Sequence, residues 1–236
     1  MTDESEQGGY RIAHFFADYG AESEALSAYG SVTRFTIDPR PNPAIAETVT
    51  VDLMEETPTV SEPFDLGFFH PKCTRWSRMT NISGTPEDHE NQIPRARELA
   101  ESVCDHYVIE NQPKAPLEDP TTFTGKMFGL PIHYERAFET SFPVNPQVRE
   151  RGFRAECSPY FSSARSTEWW ASVKGCSTRY PKNHIAKNTL PLIYVHTLLR
   201  HFIKAVNESD REQAPDNDAP PPRKIADDQT TLTEVK

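Results

Sequence analysis

The chain has 236 residues, 36% of them hydrophobic and 25% charged, and a formal net charge of −10, which suits one full domain and a small second lobe. Collagen, a coiled coil and a wholly disordered chain are excluded by that composition. No run of about eighteen apolar residues occurs, and residues 1–10 lack the basic-then-apolar order of a secretory signal, so a cytoplasmic protein with no membrane partner is expected.

In chain order, residues 1–9 read as an acidic, disordered N-terminus. Residues 12–16 form a short apolar strand; Gly20 and a helix-compatible stretch, 22–29, follow, and 32–37 is a β-branched and aromatic strand ending at Asp38. Residues 48–53 alternate as a third strand, and 64–69, apolar throughout, read as a strand buried on both faces. Ile93, Ala96, Leu99, Ala100, Val103 and Cys104 recur at helical spacing, with Pro94 suited to a first turn. Strands are expected at 107–109 and 137–142. Residues 190–206 predict a strongly apolar helix with Arg200, His201 and Lys204 near its C-terminal end, where the helix dipole favours cations.

Alternating strands and helices argue for a doubly wound α/β sheet over 10–142. Residues 143–187 have no clear period and are rich in arginine and aromatics, as a small irregular lobe would be. Residues 188–206 return to the sheet, and 207–236, almost without apolar residues, read as a disordered acidic tail. Charge follows this division: residues 10–142 hold 21 acids and 11 bases, and 143–206 hold 10 bases and 3 acids. A global −10 speaks against a polyanionic partner, but a two-sided chain offers a basic face to one. The excess of Asp and Glu over Lys and Arg, 35 to 25, fits a high-salt cytoplasm or its virus.

The four cysteines, Cys73, Cys104, Cys157 and Cys176, form no paired motif, so reduced thiols are expected, and the histidines have no metal-ligand spacing, so no metal is expected. Ligands of such sheets bind where strands end. Residues 16–21 after the first strand, with a tight turn at Gly20, and Asp38 after the second make a nucleotide-type site. Cys73, in the segment 70–77 after the fourth strand, and Glu110, after the fifth, can meet over one ligand. A nucleophilic thiol needs a lowered pKa, and Lys72, Arg75 and Arg78 supply positive charge nearby in sequence. The other reading of Cys73 is a buried structural thiol, which is also the reading for Cys104.

The order of these motifs resembles the C5-cytosine DNA methyltransferase family, over about residues 11–204. Pro71, Lys72 and Cys73 with downstream Ser77 stand where the family has Pro-Pro-Cys and a Phe-Ser; Glu110, Asn111 and Gln112 stand where it has Glu-Asn-Val. Phe16, Ala17, Asp18 and Gly20 resemble its cofactor loop, Asp52 and Leu53 the pair that meets the adenine, Asn188 and Pro191 its late Gly-Asn-x-Val-Pro segment, and Arg136 the last arginine of Gln-x-Arg-x-Arg. The departures are Asp18 and Ala21 for glycines, Lys72 for the second proline, Gln112 for valine, Tyr134 for an arginine and Lys187 for the glycine before Asn188.

The resemblance implies a Rossmann-like S-adenosylmethionine-dependent methyltransferase sheet, a small, divergent enzyme of viral or archaeal type, monomeric, acting on double-stranded DNA. Cys73 would add to C6 of a flipped-out cytosine, Glu110 would hydrogen-bond or protonate N3, Asn111 would hold the loop and Arg136 would steady base or acid. Phe16, Ala17, Asp18, Gly20, Asp38, Asp52, Leu53, Pro71 and Asn188 would bind the cofactor. DNA contacts are expected from Arg75, Ser77, Arg149, Arg151, Arg154, Arg165, Lys174 and Arg179, interleaved with Phe153, Tyr160, Phe161, Trp169, Trp170 and Tyr180. The alternatives are a catalytically degenerate DNA-binding or regulatory protein and a methyltransferase acting on RNA or free nucleotides.

Overall fold

The computed structural model describes residues 9–42, 45, 47–146 and 157–213. Seven strands make one sheet: β1 Tyr10–Phe15, β2 Gly30–Thr36, β3 Glu47–Thr50, β4 Phe64–Phe69, β5 Cys104–Asn111, β6 Thr121–Thr124 and β7 Glu135–Thr140, in the order β3-β2-β1-β4-β5-β7-β6. β1 to β5 run parallel, β7 lies antiparallel to β5, and β6 antiparallel to β7. The sheet is therefore doubly wound as expected, with its order reversing between β1 and β4. The carboxyl ends of those strands are the place for a ligand crevice.

Alternation along the strands builds two cores. Ile12, Leu66, Phe68, Val108 and Phe138 join one, together with α1 (Ala21–Leu26) and α6 (Leu192–Gln213). Ala13, Phe15, Phe69 and Ile109 join the other, against Ala96, Leu99, Ala100 and Val103 of α3 (Ile93–Val103). Phe15 stacks between Phe35 and Phe69, with ring centroids 4.8 and 4.5 Å away.

The third strand stops at Thr50, short of the expected residue 53, because Asp52 turns the chain: its carboxylate accepts from Met54 N (3.0 Å) and its carbonyl from Glu56 N (2.8 Å). β6 and the short α2 (Arg78–Ser83) were not expected. Nor were α4 (Thr167–Lys174) and α5 (Lys182–Lys187), which fill part of the segment read as irregular. Ser166 caps α4 by accepting from Trp169 N, and Gly175, at φ +77°, ends it. Trp170, Ala171, Tyr180, Ile185 and Ala186 enter the same core as Ile12 and Phe68. Trp170 is fully buried and its indole N–H donates to Ser162 O (2.9 Å).

The last helix continues to Gln213, into the stretch read as tail, with Lys204 pairing with Glu208 one turn on (3.6 Å). No helix among the described residues is long and apolar enough to cross a membrane.

Candidate active site

A cavity of about 520 Å³ opens beyond the carboxyl ends of β1, β2 and β4, at the reversal of strand order. Phe16, Ala17, Asp18, Asp38, Asp52, Leu53, Pro71 and Asn188 line it, with His70, Cys73 and His184. Eight of the nine expected cofactor residues are thus brought to one cavity. The ninth, Gly20, shapes the loop instead: at φ +83° it has a conformation costly for other residues, and a Cβ there would meet the Arg34 guanidinium at 2.8 Å. A larger cleft of about 740 Å³ over β2 and β3 contains no cysteine or histidine and lies apart from Cys73 and Glu110.

Buried polar side chains fix the loop after β1. Arg34 of β2 donates to the carbonyls of Asp18 (3.2 Å) and Arg40 (2.6 Å), and Asn42 Nδ2 donates to those of Tyr19 (3.1 Å) and Gly20 (3.2 Å). These hydrogen bonds hold the loop that carries Asp18 and Tyr19. Asp38 pairs with Arg40 (2.6 Å), and Asp18 lies 3.3 Å from His184 Nδ1.

The reacting end is built from β4, β5 and β7. Glu110, one residue before the end of β5, is fully buried. Antiparallel pairing sets Glu110 opposite Phe138 and so brings Arg136, two residues along β7, diagonally onto it: Nε stands 2.7 Å from Oε1. His70 Nε2 lies 3.3 Å from Oε2. Neither contact has the alignment of a hydrogen bond, so both carboxylate oxygens and Arg136 Nε keep bonding capacity. Asn111 Nδ2 donates to Pro71 O (3.1 Å), and Gln92 Oε1 accepts from Lys72 N (2.9 Å), which ties the Cys73 turn to β5 and α3.

Cys73 itself is a free, half-buried thiol at the start of a single 3-10 turn, Thr74–Trp76. The sequence neighbours do not supply the expected activation. Arg75 is turned inward, donating to Pro86 O (3.1 Å) and His89 O (2.7 Å), and burial pushes the Cys73 thiol up. The cation that pulls it down is Arg136, aided by the Gln112 side chain against Glu110.

A buried polar cluster lies beside these groups. His14 Nδ1 is 2.7 Å from Ser23 Oγ, and burial, with His70 and Arg34 nearby, holds its pKa well below the ordinary value. Glu22 Oε1 accepts from Leu190 N (2.6 Å), and Oε2 has no hydrogen-bond partner among the described residues. Burial pushes the Glu22 carboxyl from 4.5 up to about 7, with His70 pulling down and Asp18 pushing up. Between those values the native chain binds more protons than the unfolded one, so the Glu22 contribution to stability falls as pH rises. Glu22→Gln is therefore expected to gain stability relative to the wild type on going from about pH 5 to about pH 8, as read by urea unfolding at each pH.

The expected DNA contacts divide. Lys174 does not face solvent as expected: it is 1% exposed, with Nζ donating to Thr189 O (2.6 Å) and lying 3.1 Å from the Tyr134 ring centroid. Burial holds its pKa well below the ordinary value. Arg75 is committed to its own loop, Ser77 caps α2 by accepting from Thr80 N (3.1 Å), and Arg179 pairs with Glu24. Arg165 is exposed, its guanidinium 5.1 Å over Trp169. Tyr160 and Phe161 are exposed whereas Trp170 and Tyr180 are buried. Arg149, Arg151, Phe153 and Arg154 lie outside the described residues. Among the described residues no group of three or more His, Cys, Asp or Glu could hold a metal ion.

His70 is the site residue the sequence reading passed over. Its signal was positional, because Phe69 pairs with Ile109 and the next residue of each is His70 and Glu110.

No family model and no curated protein matches the sequence. Solved structures do. The Dnmt2 methyltransferase of S. pombe superposes with TM-score 0.60 at 10% identity, over 84% of this chain and 99% of that one. The Entamoeba histolytica methyltransferase EhMeth gives 0.54 at 11%, over 85% and 99%. Against an E. coli prophage protein described as a DNA modification methyltransferase, the chain spans about half of that protein's length (TM-score 0.44, 14% identity, 64% of this chain and 53% of that one). At such identities the first two share the fold with this chain. It is the Rossmann-like fold of methyltransferases, as the motif order implied.

Proposed function

We propose that the protein is an S-adenosylmethionine-dependent methyltransferase that methylates C5 of cytosine in double-stranded DNA. The observation that carries this reading is Glu110, a fully buried carboxyl with spare bonding capacity, held beside Arg136 and next to the turn that presents Cys73 to the cavity.

The cavity has the volume of a cofactor site, and its polar groups suit the cofactor. Asp38 would accept from the ribose hydroxyls and Asp52 from the adenine amino group, with Phe16, Leu53 and Pro71 as apolar walls and Asn188 closing the site. When bound, S-adenosylmethionine supplies an electrophilic methyl group on a sulfonium. Cytosine C5 is a poor nucleophile until the ring is made electron-rich. Cys73, once deprotonated, adds to C6 while Glu110 hydrogen-bonds or protonates N3, and the resulting enamine is nucleophilic at C5. Asn111 holds the Pro71–Cys73 turn, and Arg136 fixes the acid. The base must leave the duplex to reach Cys73, at a cost of a few kcal/mol that phosphate contacts offset.

Those contacts are assigned to the basic segment, with Arg165 and the arginines at 149, 151 and 154. Neutralising Arg149, Arg151 and Arg154 together is expected to weaken DNA binding and to lower the slope of log K against log salt by about 0.9 per charge removed. Deleting residues 214–236, with five acids and three bases, should leave binding intact or strengthen it. A salt titration of binding checks both.

The reading is tested by incubating the protein with labelled cofactor and mixed-sequence duplex DNA, RNA or free nucleotides, then identifying the labelled nucleoside. C5-methylcytosine in duplex DNA is expected. Label in RNA or nucleotides alone would move the substrate class, and salt-sensitive DNA binding with no label anywhere would make the protein a non-catalytic binder.

A further inference from the structure

The proposed mechanism gives no task to His70, at the end of β4. The sheet carries it to the acid: His70 N donates to Phe15 O (3.0 Å), Phe69 pairs with Ile109, and one residue further Nε2 stands 3.3 Å from Glu110 Oε2. Arg136 Nε stands 2.7 Å from the other oxygen, likewise without hydrogen-bond alignment. Glu110 therefore sits between two nitrogen donors with no solvent exposure. Among the described residues, the titratable groups that act on His70 include Glu110 of β5, Arg136 of β7, His14 of β1, Glu22 of α1, Asp18 of the loop after β1 and His184 of α5. Burial and Arg136 oppose a charge on the imidazole, but Glu110, Glu22 and Asp18 outweigh them, and its pKa is raised. His14, 6.5 Å away between ring centroids, is driven the other way and stays neutral.

We propose that His70 is the positioning residue of Glu110: it fixes the carboxyl at Oε2 and loads it with the proton that is passed to the base. This rests on the methyl-transfer reading above. A carboxylate needs a proton before it can act as an acid, and an imidazolium 3.3 Å away can supply one once the contact closes into a hydrogen bond. In that step the Nε2–H bond breaks and the Oε2–H bond forms, leaving neutral imidazole and carboxylic acid. The acid proton moves to N3 as the bond from Cys73 Sγ to C6 forms. After methylation the C5 proton leaves to solvent, the thiolate is expelled, and the N3 proton returns through Glu110 to His70. The Cys73 thiol releases its proton to solvent before it attacks and regains one after it is expelled, so each turnover releases only the C5 proton.

The test has two arms on the full chain. Histidine NMR titration compares wild type with Glu110→Gln, in which the His70 midpoint is expected to fall by about one pH unit. Methyl transfer by His70→Gln is followed against pH. A loss of about tenfold or more in kcat is expected, with a smaller change in KM, and the inflection belonging to the imidazole should vanish from the profile. An unmoved His70 midpoint overturns the pairing. Wild-type kcat in His70→Gln overturns the role, as does a reduced kcat with the inflection kept, which marks a merely structural residue. If the wild type methylates nothing, the methyltransferase reading falls and the relay falls with it, while the titration arm still decides whether His70 and Glu110 are paired.

Discussion

Cys73→Ala is expected to lower methyl transfer by about four orders of magnitude or more, because Cys73 is the one thiol among the described residues that line the cavity. Binding of S-adenosylmethionine should change little, since the groups assigned to its ribose and adenine are Asp38, Asp52 and Leu53. Calorimetric titration of the cofactor and product analysis separate the two effects. DNA carrying 5-fluorocytosine sharpens the test: the fluorine blocks elimination, so the wild type should form a complex that survives denaturation and Cys73→Ala should not. The other thiols are controls. Burial pushes Cys104 up to about 12 and Cys176 up to about 11, and Cys157 is buried, so serine at any of them should leave trapping unchanged. Unchanged turnover in Cys73→Ala would remove the covalent mechanism.

The thiol also shows where reading a sequence reaches its limit. Lys72, Arg75 and Arg78 are near Cys73 along the chain, yet the cation that acts on it comes from β7, sixty-three positions away. Arg75 points at carbonyls of its own loop. Proximity in sequence decides turns and caps, whereas electrostatics is decided by which strands become neighbours. Period and alternation were legible because they reflect local geometry: Ile12 and Ala13 enter opposite cores, and α3 was set by its apolar face. β6 escaped because four residues of Thr-Thr-Phe-Thr give too short a pattern, and its place follows from pairing with β7. α4 had local signals, a serine cap and a terminal glycine, but the arginines and aromatics around it suggested a surface lobe. Lys174 shows the cost of that reading. Its charge counted toward a basic face, and the fold spends it on the Thr189 carbonyl, in the turn before α6.

Arg136→Met is expected to destabilise the protein by about 3–5 kcal/mol, a large part of the roughly 5–15 kcal/mol that holds a domain folded. Arg136 serves more than Glu110: Nη1 donates to Glu135 O (2.9 Å), Nη2 to Lys187 O (3.2 Å), and the guanidinium lies 4.2 Å over the Tyr134 ring. Methionine keeps much of the volume but leaves the Glu110 carboxylate, fully buried, without its nearer cation. The uncompensated charge is the dominant cost, so it should shrink when the charge goes. The double variant Arg136→Met/Glu110→Gln is expected to be more stable than Arg136→Met alone, and the cycle measured by urea unfolding gives the coupling directly. Arg136→Lys should not restore the site, because one ammonium cannot reach Oε1 and the Lys187 carbonyl in the geometry of a planar fork. Equal losses in the single and double variants would mean that Arg136 acts through packing on Tyr134, and that Glu110 does not depend on it for its place at the base.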